Sequence, residues 1–274
     1  MELIDLHIHG APWSNGWANY RRSVWQAWRN GLHIAGLSEH GPRFNYLVPF
    51  RSLSLAELDK YFHTIEEIRL EFAGEIEVLS GLELDYNQRM VEYYSNLLPR
   101  LPLDYVIGAI HSVEDWIPEI PQSYETSALA GKNAEQLYQA YFQKLTEAAQ
   151  SGLFDFIAHP DLVKKALPHL GMKKPDNLQT LYQETAKMLA ACDVGIEINT
   201  RGKLLPDVGE FYPHIDFLTE CRRAGVHLTI GSDAHQPQNV GLAVEEAFRL
   251  AQSLGFAELS VWRKRKRYVS NLSN

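Results

Sequence analysis

Apolar, largely β-branched runs return at intervals along the chain: 3–9 (LIDLHIH), 33–40 (HIAGLSEH), 76–83 (IEVLSGLE), 105–111 (YVIGAIH), 154–159 (FDFIAH), 194–200 (VGIEINT) and 227–235 (HLTIGSDAH). Short runs of this kind predict buried strands, seven in all. The segments between them change to helical periodicity. Over 54–72, Leu55, Leu58, Tyr61, Phe62, Ile65 and Ile68 trace one stripe, and Ser54 with Glu57 forms a capping box at its start. Further helices are predicted at about 133–150, 176–192, 214–224 and 239–254, the last opening at Asn239 and closing at Gly255. Strands that alternate with helices predict a parallel sheet, because each crossover returns the chain to the same end of the layer. The less regular stretches at 41–53 and 112–132 read as loops within one domain spanning 1–274.

Composition narrows the class. Hydrophobic residues make up 45% and charged residues 22%, which is ordinary for a globular chain and excludes disordered and collagen-like ones. The formal charge of −8 argues against a nucleic-acid-coating surface and for a small-molecule partner. Basic residues 263–267 (RKRKR) read as solvated surface. Cys192 and Cys221 have no paired spacing, so neither a disulfide framework nor a cysteine zinc site is expected. With no signal-like N-terminus or membrane-length apolar run, a soluble cytoplasmic protein is expected.

The polar residues within the strands carry the chemistry. Along DLHIHG, a period of two sends Asp5, His7 and His9 to one face and Leu6 and Ile8 to the other. Taken alone, that pattern suits a surface strand edge as well as a site. The other strands end in the same residue types: Glu39 and His40, Glu83, His111, His159, Glu197 with Asn199, and Asp233 with His235. Strand ends of parallel α/β folds converge on one mouth. Many imidazoles and a few carboxylates in one cup suit a cluster of divalent transition metals, since carboxylates can bridge ions and the ions offset the burial of acids. Glycine-rich nucleotide motifs and the Gly-x-Ser-x-Gly nucleophile turn are absent. His33, His63, His169, His214 and His227 fall at strand starts, on a helix or in loops and read as structural or solvated.

In this order, DLHIHG, GLSEHG, GLELDY, GAIHS, IAHPDLVKK, GIEINT and IGSDAH resemble the polymerase and histidinol phosphatase (PHP) family. The longer stretches YFHTIEEIRLEFAGEIEVLSGLELDY, SGLFDFIAHPDLVKK and GEFYP resemble its histidinol-phosphate phosphatase branch. The resemblance implies a distorted seven-stranded (β/α)7 barrel with two to three divalent transition metal ions, zinc, iron or manganese, in its mouth. It implies a first ion on His7, His9, Glu83 and Asp233, a second on Glu83 as a bridge with His111 and His159, and a third involving His40 and His235. Asp5, Glu39, Glu197 and Asn15 would then stand behind the ligands, Asp5 by orienting an imidazole. The family usually has a further histidine where this chain has Asn15, and a neutral amide oxygen is the weaker ligand.

Such a centre implies hydrolysis of a phosphate ester, most specifically L-histidinol phosphate in histidine biosynthesis. Arg201, Lys203 and Arg43 are candidates to hold the phosphate, and each equally suits an ordinary surface cation. Lys164 and Lys165 divide between that branch's pattern and helix-start solvation. His235, His40 and Asp233 are the candidate catalytic residues, with His235 or His40 protonating the leaving oxygen. Trp13 or Trp17 would wall a substrate pocket. The alternatives are a PHP-type esterase for another small phosphate or nucleotide, an amidohydrolase, and a metal-binding protein without catalysis. An amidohydrolase would call for a lysine or glutamate at the fourth strand, which here ends in His111.

Overall fold

A computed structural model describes residues 2–10, 16–43, 51–114, 116–121, 129 and 131–272. Asn15 and Trp13 lie outside these described residues. The seven expected strands are present as β1 (Ile4–Ile8), β2 (Ile34–His40), β3 (Glu77–Asp85), β4 (Tyr105–Ala109), β5 (Phe156–Ile157), β6 (Gly195–Asn199) and β7 (Leu228–Gly231). They form one parallel sheet in sequential order, β1 to β7. Helices α1 (Ala18–Arg29), α2 (Leu55–Glu71), α3 (Val91–Leu97), α4 (Ala134–Gln150), α5 (Gln179–Ala191), α6 (Ile215–Ala224) and α7 (Val244–Ser253) accompany the strands.

The sheet curls until β1 meets β7. Ile8 bridges Ala234 in parallel register, and His9 N donates to Ala234 O at 2.8 Å. The buried carboxylate of Asp5 adds to this seam by accepting from Ser232 N at 2.8 Å and Gly241 N at 3.0 Å. The result is the nearly closed (β/α)7 barrel expected.

Side-chain size fills its interior. Tyr105 on β4 is fully buried and donates through its hydroxyl to Leu6 O on β1 at 2.8 Å. Its ring occupies the space that side chains at Gly36 on β2 and Gly81 on β3 would need: a Cβ at Gly36 would lie 2.1 Å from the Tyr105 hydroxyl, and one at Gly81 2.3 Å from the ring. The Ser54–Glu57 capping box starts α2 as expected, and Tyr61, from the apolar stripe of that helix, donates to the strand carbonyls of Leu37 and Gly81.

Two local expectations differ, the start of the last helix and the surroundings of the basic run, and a terminal hairpin is added. The last helix starts at Val244 rather than Asn239, because Gly241 and Ala243 take left-handed φ values of 73° and 57° and Gly241 N is held by Asp5. Residues 258–271 form an antiparallel hairpin, β8 (Glu258–Arg263) with β9 (Lys266–Asn271). The basic run 263–267 spans its turn and is largely ion-paired rather than simply solvated. Arg263 meets Glu77 in a two-pronged contact, Arg265 Nε lies 2.6 Å from Asp155, and Arg267 pairs with Glu258. Glu77 opens β3 and Asp155 precedes β5, so the hairpin straps the amino-terminal end of the barrel, where Trp262 stacks on Phe156. That leaves the carboxyl-terminal mouth for chemistry.

Candidate metal centre

β1, β2, β3 and β6 end at or beside residues of the cup, and His111, His159 and Asp233 follow β4, β5 and β7 by two positions each. Three buried carboxylates set the orientation of three imidazoles. Glu197 on β6 lies 3.1 and 3.0 Å from His7 Nδ1 through its two oxygens, Glu39 Oε1 lies 3.1 Å from His9 Nδ1, and Asp85 hydrogen-bonds His111 Nδ1. A carboxylate on Nδ1 takes that nitrogen's proton as its donor and leaves the Nε2 lone pair facing the cup. The neighbours fit this need. Gly231 has no side chain where a Cβ would lie 2.4 Å from Glu197 and 2.5 Å from His7, and Tyr20 and Gly10 N donate to Glu39 Oε2.

Glu83 occupies the centre. Its Oε1 lies 3.2 Å from His159 Nε2 and 3.5 Å from His111 Nε2. Its Oε2 lies 2.7 Å from His40 Nδ1, 3.5 Å from His9 Nε2 and 3.6 Å from His7 Nε2. Asp233 Oδ1 is 3.5 Å from His9 Nε2 and 3.3 Å from His235 Nδ1. Ligand atoms within mutual reach therefore fall into three groups: His7, His9 and Asp233; Glu83, His111 and His159; and His9, His40 and His235. His159 and Asp233 hold φ values of 30° and 51°, left-handed conformations that a non-glycine residue adopts at a cost.

These residues fit divalent cations. Nε2 of His7 and of His9 stand 3.1 Å apart, and with Nδ1 of each committed to a carboxylate, the facing lone pairs repel unless a proton or a cation lies between them. The buried Glu83 Oε2 makes no hydrogen bond of good geometry despite facing three imidazoles. Without ions, protons take that place. Burial works to lower His9, but Asp233, Glu39 and Glu83 outweigh it and raise it to about 9; Glu197, Asp233 and Glu83 raise His7 likewise. Burial works to raise Glu83 and Asp233, but the imidazoles around them, with Arg201 beside Asp233, bring both down. His40 and His235 are lowered, to about 4 and about 3, by burial together with the charge of His9.

The eight residues expected as ligands all fall in these three groups, and Glu39 and Glu197 lie against His9 and His7. Asp5 does not orient an imidazole: its oxygens accept backbone amides, including His7 N at 3.2 Å, because closing the barrel leaves those N–H groups facing it. Asp85 takes the orienting role on His111. Sequence reasoning passed over it, although it lies two positions beyond Glu83 on the same strand face.

The expected phosphate cations separate. Arg201 reaches the cup, with a terminal nitrogen 3.1 Å from Asp233 Oδ1 and 2.6 Å from His235 Nδ1. Arg43 is buried, its Nε 2.6 Å from Asp85 and one terminal nitrogen 3.0 Å from His40 Nδ1, so it braces the centre from behind. Lys203 Nζ pairs with Glu246 at 2.6 Å and lies over the Phe211 ring, away from the three ligand groups. Lys164 is buried against Asp161, Glu210 and Phe211 O, a clamp rather than helix-start solvation. Lys165 instead pairs at 2.7 Å with Glu119 Oε1, whose other oxygen lies 3.9 Å from His111 Nε2. Glu119 sits in an aperiodic loop, where no sequence pattern singled it out. The five histidines read as structural pair elsewhere: His63 with Glu67, His169 with Asp207, His227 with Asp193, His214 as the cap of α6, and His33 with Leu3 N.

Comparison with known proteins finds relatives along nearly the whole chain. A probable histidinol-phosphatase of Deinococcus radiodurans is 32% identical over 257 residues, covering 92% of this chain and 94% of that protein. The histidinol-phosphatase of Lactococcus lactis is 26% identical over 266 residues, covering 96% and 95%. A crystal structure of histidinol phosphate phosphatase from Lactococcus lactis, complexed with zinc, L-histidinol and phosphate, superposes with a TM-score of 0.78 at 23% identity, covering 97% of this chain and 99% of that one. The model of the PHP domain matches residues 5–201, and the chain belongs to that family.

Proposed function

We propose that this protein is a metal-dependent phosphomonoesterase that hydrolyses L-histidinol phosphate to L-histidinol and phosphate, a cytoplasmic step of histidine biosynthesis. The division of the two Glu83 oxygens between two sets of imidazoles carries the reaction class, and the histidinol-phosphatase relatives support the substrate. Two ions, zinc, iron or manganese, would be held strongly, one by His7, His9, Glu83 and Asp233 and one by Glu83, His111 and His159. A third would be held more weakly by His40 and His235, because Asn15 offers a neutral amide oxygen where the family usually has an imidazole.

Ions held there supply Lewis-acid contact with phosphoryl oxygens and a hydroxide near neutral pH. The chain does the rest. Glu197, Glu39 and Asp85 keep His7, His9 and His111 in one tautomer and one orientation. Arg201 remains charged beside Asp233 and, partly exposed at the mouth, meets the equatorial charge of the phosphoryl group. The surroundings of His235 and His40 hold both neutral, which favours the ligand role over donation of a proton to the leaving oxygen.

The test is phosphate release from L-histidinol phosphate, AMP and bis(p-nitrophenyl) phosphate, with elemental analysis of the same sample. The highest kcat/KM is expected for L-histidinol phosphate, in protein carrying at least two transition metal ions per chain. Preference for the diester, or turnover by metal-free protein, would refute the proposal.

A further inference from the structure

Three ligand imidazoles have a carboxylate behind Nδ1: Glu197 on His7, Glu39 on His9 and Asp85 on His111. His159 has none. Its Nδ1 is buried without a hydrogen-bond partner among the described residues, while its Nε2 faces Glu83 at 3.2 Å. The direction of that ring is therefore set through its main chain, which sits at a φ of 30°, a conformation that neighbouring groups must hold in place. Glu197 accepts His159 N at 3.0 Å, and the fully buried Tyr141 of α4 donates its hydroxyl to His159 O at 3.2 Å. Leu162 N already donates to the same oxygen at 3.0 Å. The carbonyl thus has a partner without the tyrosine, and what the hydroxyl adds is direction.

One turn further along α4 the arrangement repeats. Lys144 follows Tyr141 by three residues and so shares its face of the helix, and its Nζ donates to Ser112 O at 2.5 Å and lies 3.4 Å from Ser112 Oγ. Ser112 directly follows His111. One helix thus sends two donors into the two loops that carry the histidines of a single ligand group, Glu83, His111 and His159. Resting on the functional reading above, we infer that Tyr141 and Lys144 are positioning residues for the ion of that group, fixing through the main chain of His159 and Ser112 the angles at which the two imidazoles meet it. The ion on His7, His9, Glu83 and Asp233 shares only Glu83 with that group and serves as the internal reference.

The experiment titrates zinc into metal-stripped protein against a chelating dye, for wild type, Tyr141→Phe, Lys144→Met and Tyr138→Phe, with His159→Ala marking the step that belongs to the Glu83–His111–His159 group. Tyr138 is the control: it lies on the same helix, is fully buried, and its hydroxyl has no hydrogen-bond partner among the described residues. Tyr141→Phe should weaken the marked step by about 5-fold and Lys144→Met by about 10-fold, the worth of one neutral and one charged hydrogen bond, with the other step unchanged. Tyr138→Phe should leave both steps unchanged. The cobalt(II) form should show the same selectivity, with the visible bands of that ion altered only in Tyr141→Phe and Lys144→Met. A purely structural part for these residues would instead lower stability to denaturant and leave the ratio of the two affinities as in wild type. That result, or an equal effect from Tyr138→Phe, overturns the inference while the functional reading stands. If Tyr141→Phe does not fold, Lys144→Met decides. Wild-type protein that takes up fewer than two zinc ions overturns that reading, and the inference with it.

Discussion

Glu197 shows how one residue serves several parts of the centre. Besides gripping His7 Nδ1, it accepts His159 N at 3.0 Å and the side-chain amide of Asn199 at 2.7 Å, so it braces a ligand of each of two groups. Glu197→Gln keeps the shape and removes the charge. Zinc affinity should fall by roughly 10- to 100-fold in competition with a chelating dye; unchanged affinity would mean that His7 is oriented by packing alone. Protonation gives a second prediction. His9 is raised from 6.5 to about 9 in the metal-free protein, so the stabilisation from its carboxylate neighbours is complete below about pH 6.5 and is lost as pH rises through 9. Ion binding requires neutral imidazole, so zinc uptake at pH 7.5 should release protons, and less should be released as pH passes 9. Calorimetry in buffers of different ionisation enthalpy measures this, and uptake without proton release would contradict the assigned ligand set. Glu83, Asp233 and the histidines were legible in the sequence because strand ends converge in this architecture. Asp85 was legible in principle from the period of two, whereas Glu119 and the buried clamp of Lys164 depend on loop paths that no local pattern encodes.

Among the elements, the strands were the easiest to read, because a parallel sheet covered on both sides requires continuous apolar runs. The boundaries of α7 and the terminal hairpin were not. Lys264 and Arg265 occupy consecutive left-handed positions, φ 52° and 61°, where a two-residue hairpin turn ordinarily signals itself with Asn or Gly. The turn is held from outside, by Asp104 accepting Lys264 N through its side chain and Arg265 N through its carbonyl, a tertiary support invisible to local pattern. The glycines of β2 and β3 carry the converse information. Gly36→Ala would press a methyl group against the buried Tyr105 and the Leu6 backbone, and should cost about 1–3 kcal/mol in denaturant unfolding. An alanine variant as stable as wild type would mean that Tyr105 moves freely, contrary to the packing described.

At the scale of the molecule, the barrel concentrates acids and imidazoles at its carboxyl-terminal mouth and straps the opposite end with ion-paired hairpin residues. Asp5 joins these levels, since the seam it closes between β1 and β7 is also what brings His7 and His9 against Asp233. Among the described residues, no helix is long and apolar enough to cross a membrane. The account stands on ions bridged by Glu83 acting on a phosphate monoester. Its most direct test is a zinc titration of metal-stripped protein, with phosphate release from L-histidinol phosphate followed at each addition. The rate should be negligible without metal and should rise to a plateau only at two or more ions per chain. A full rate in the stripped protein, or a plateau at a single ion, would contradict it.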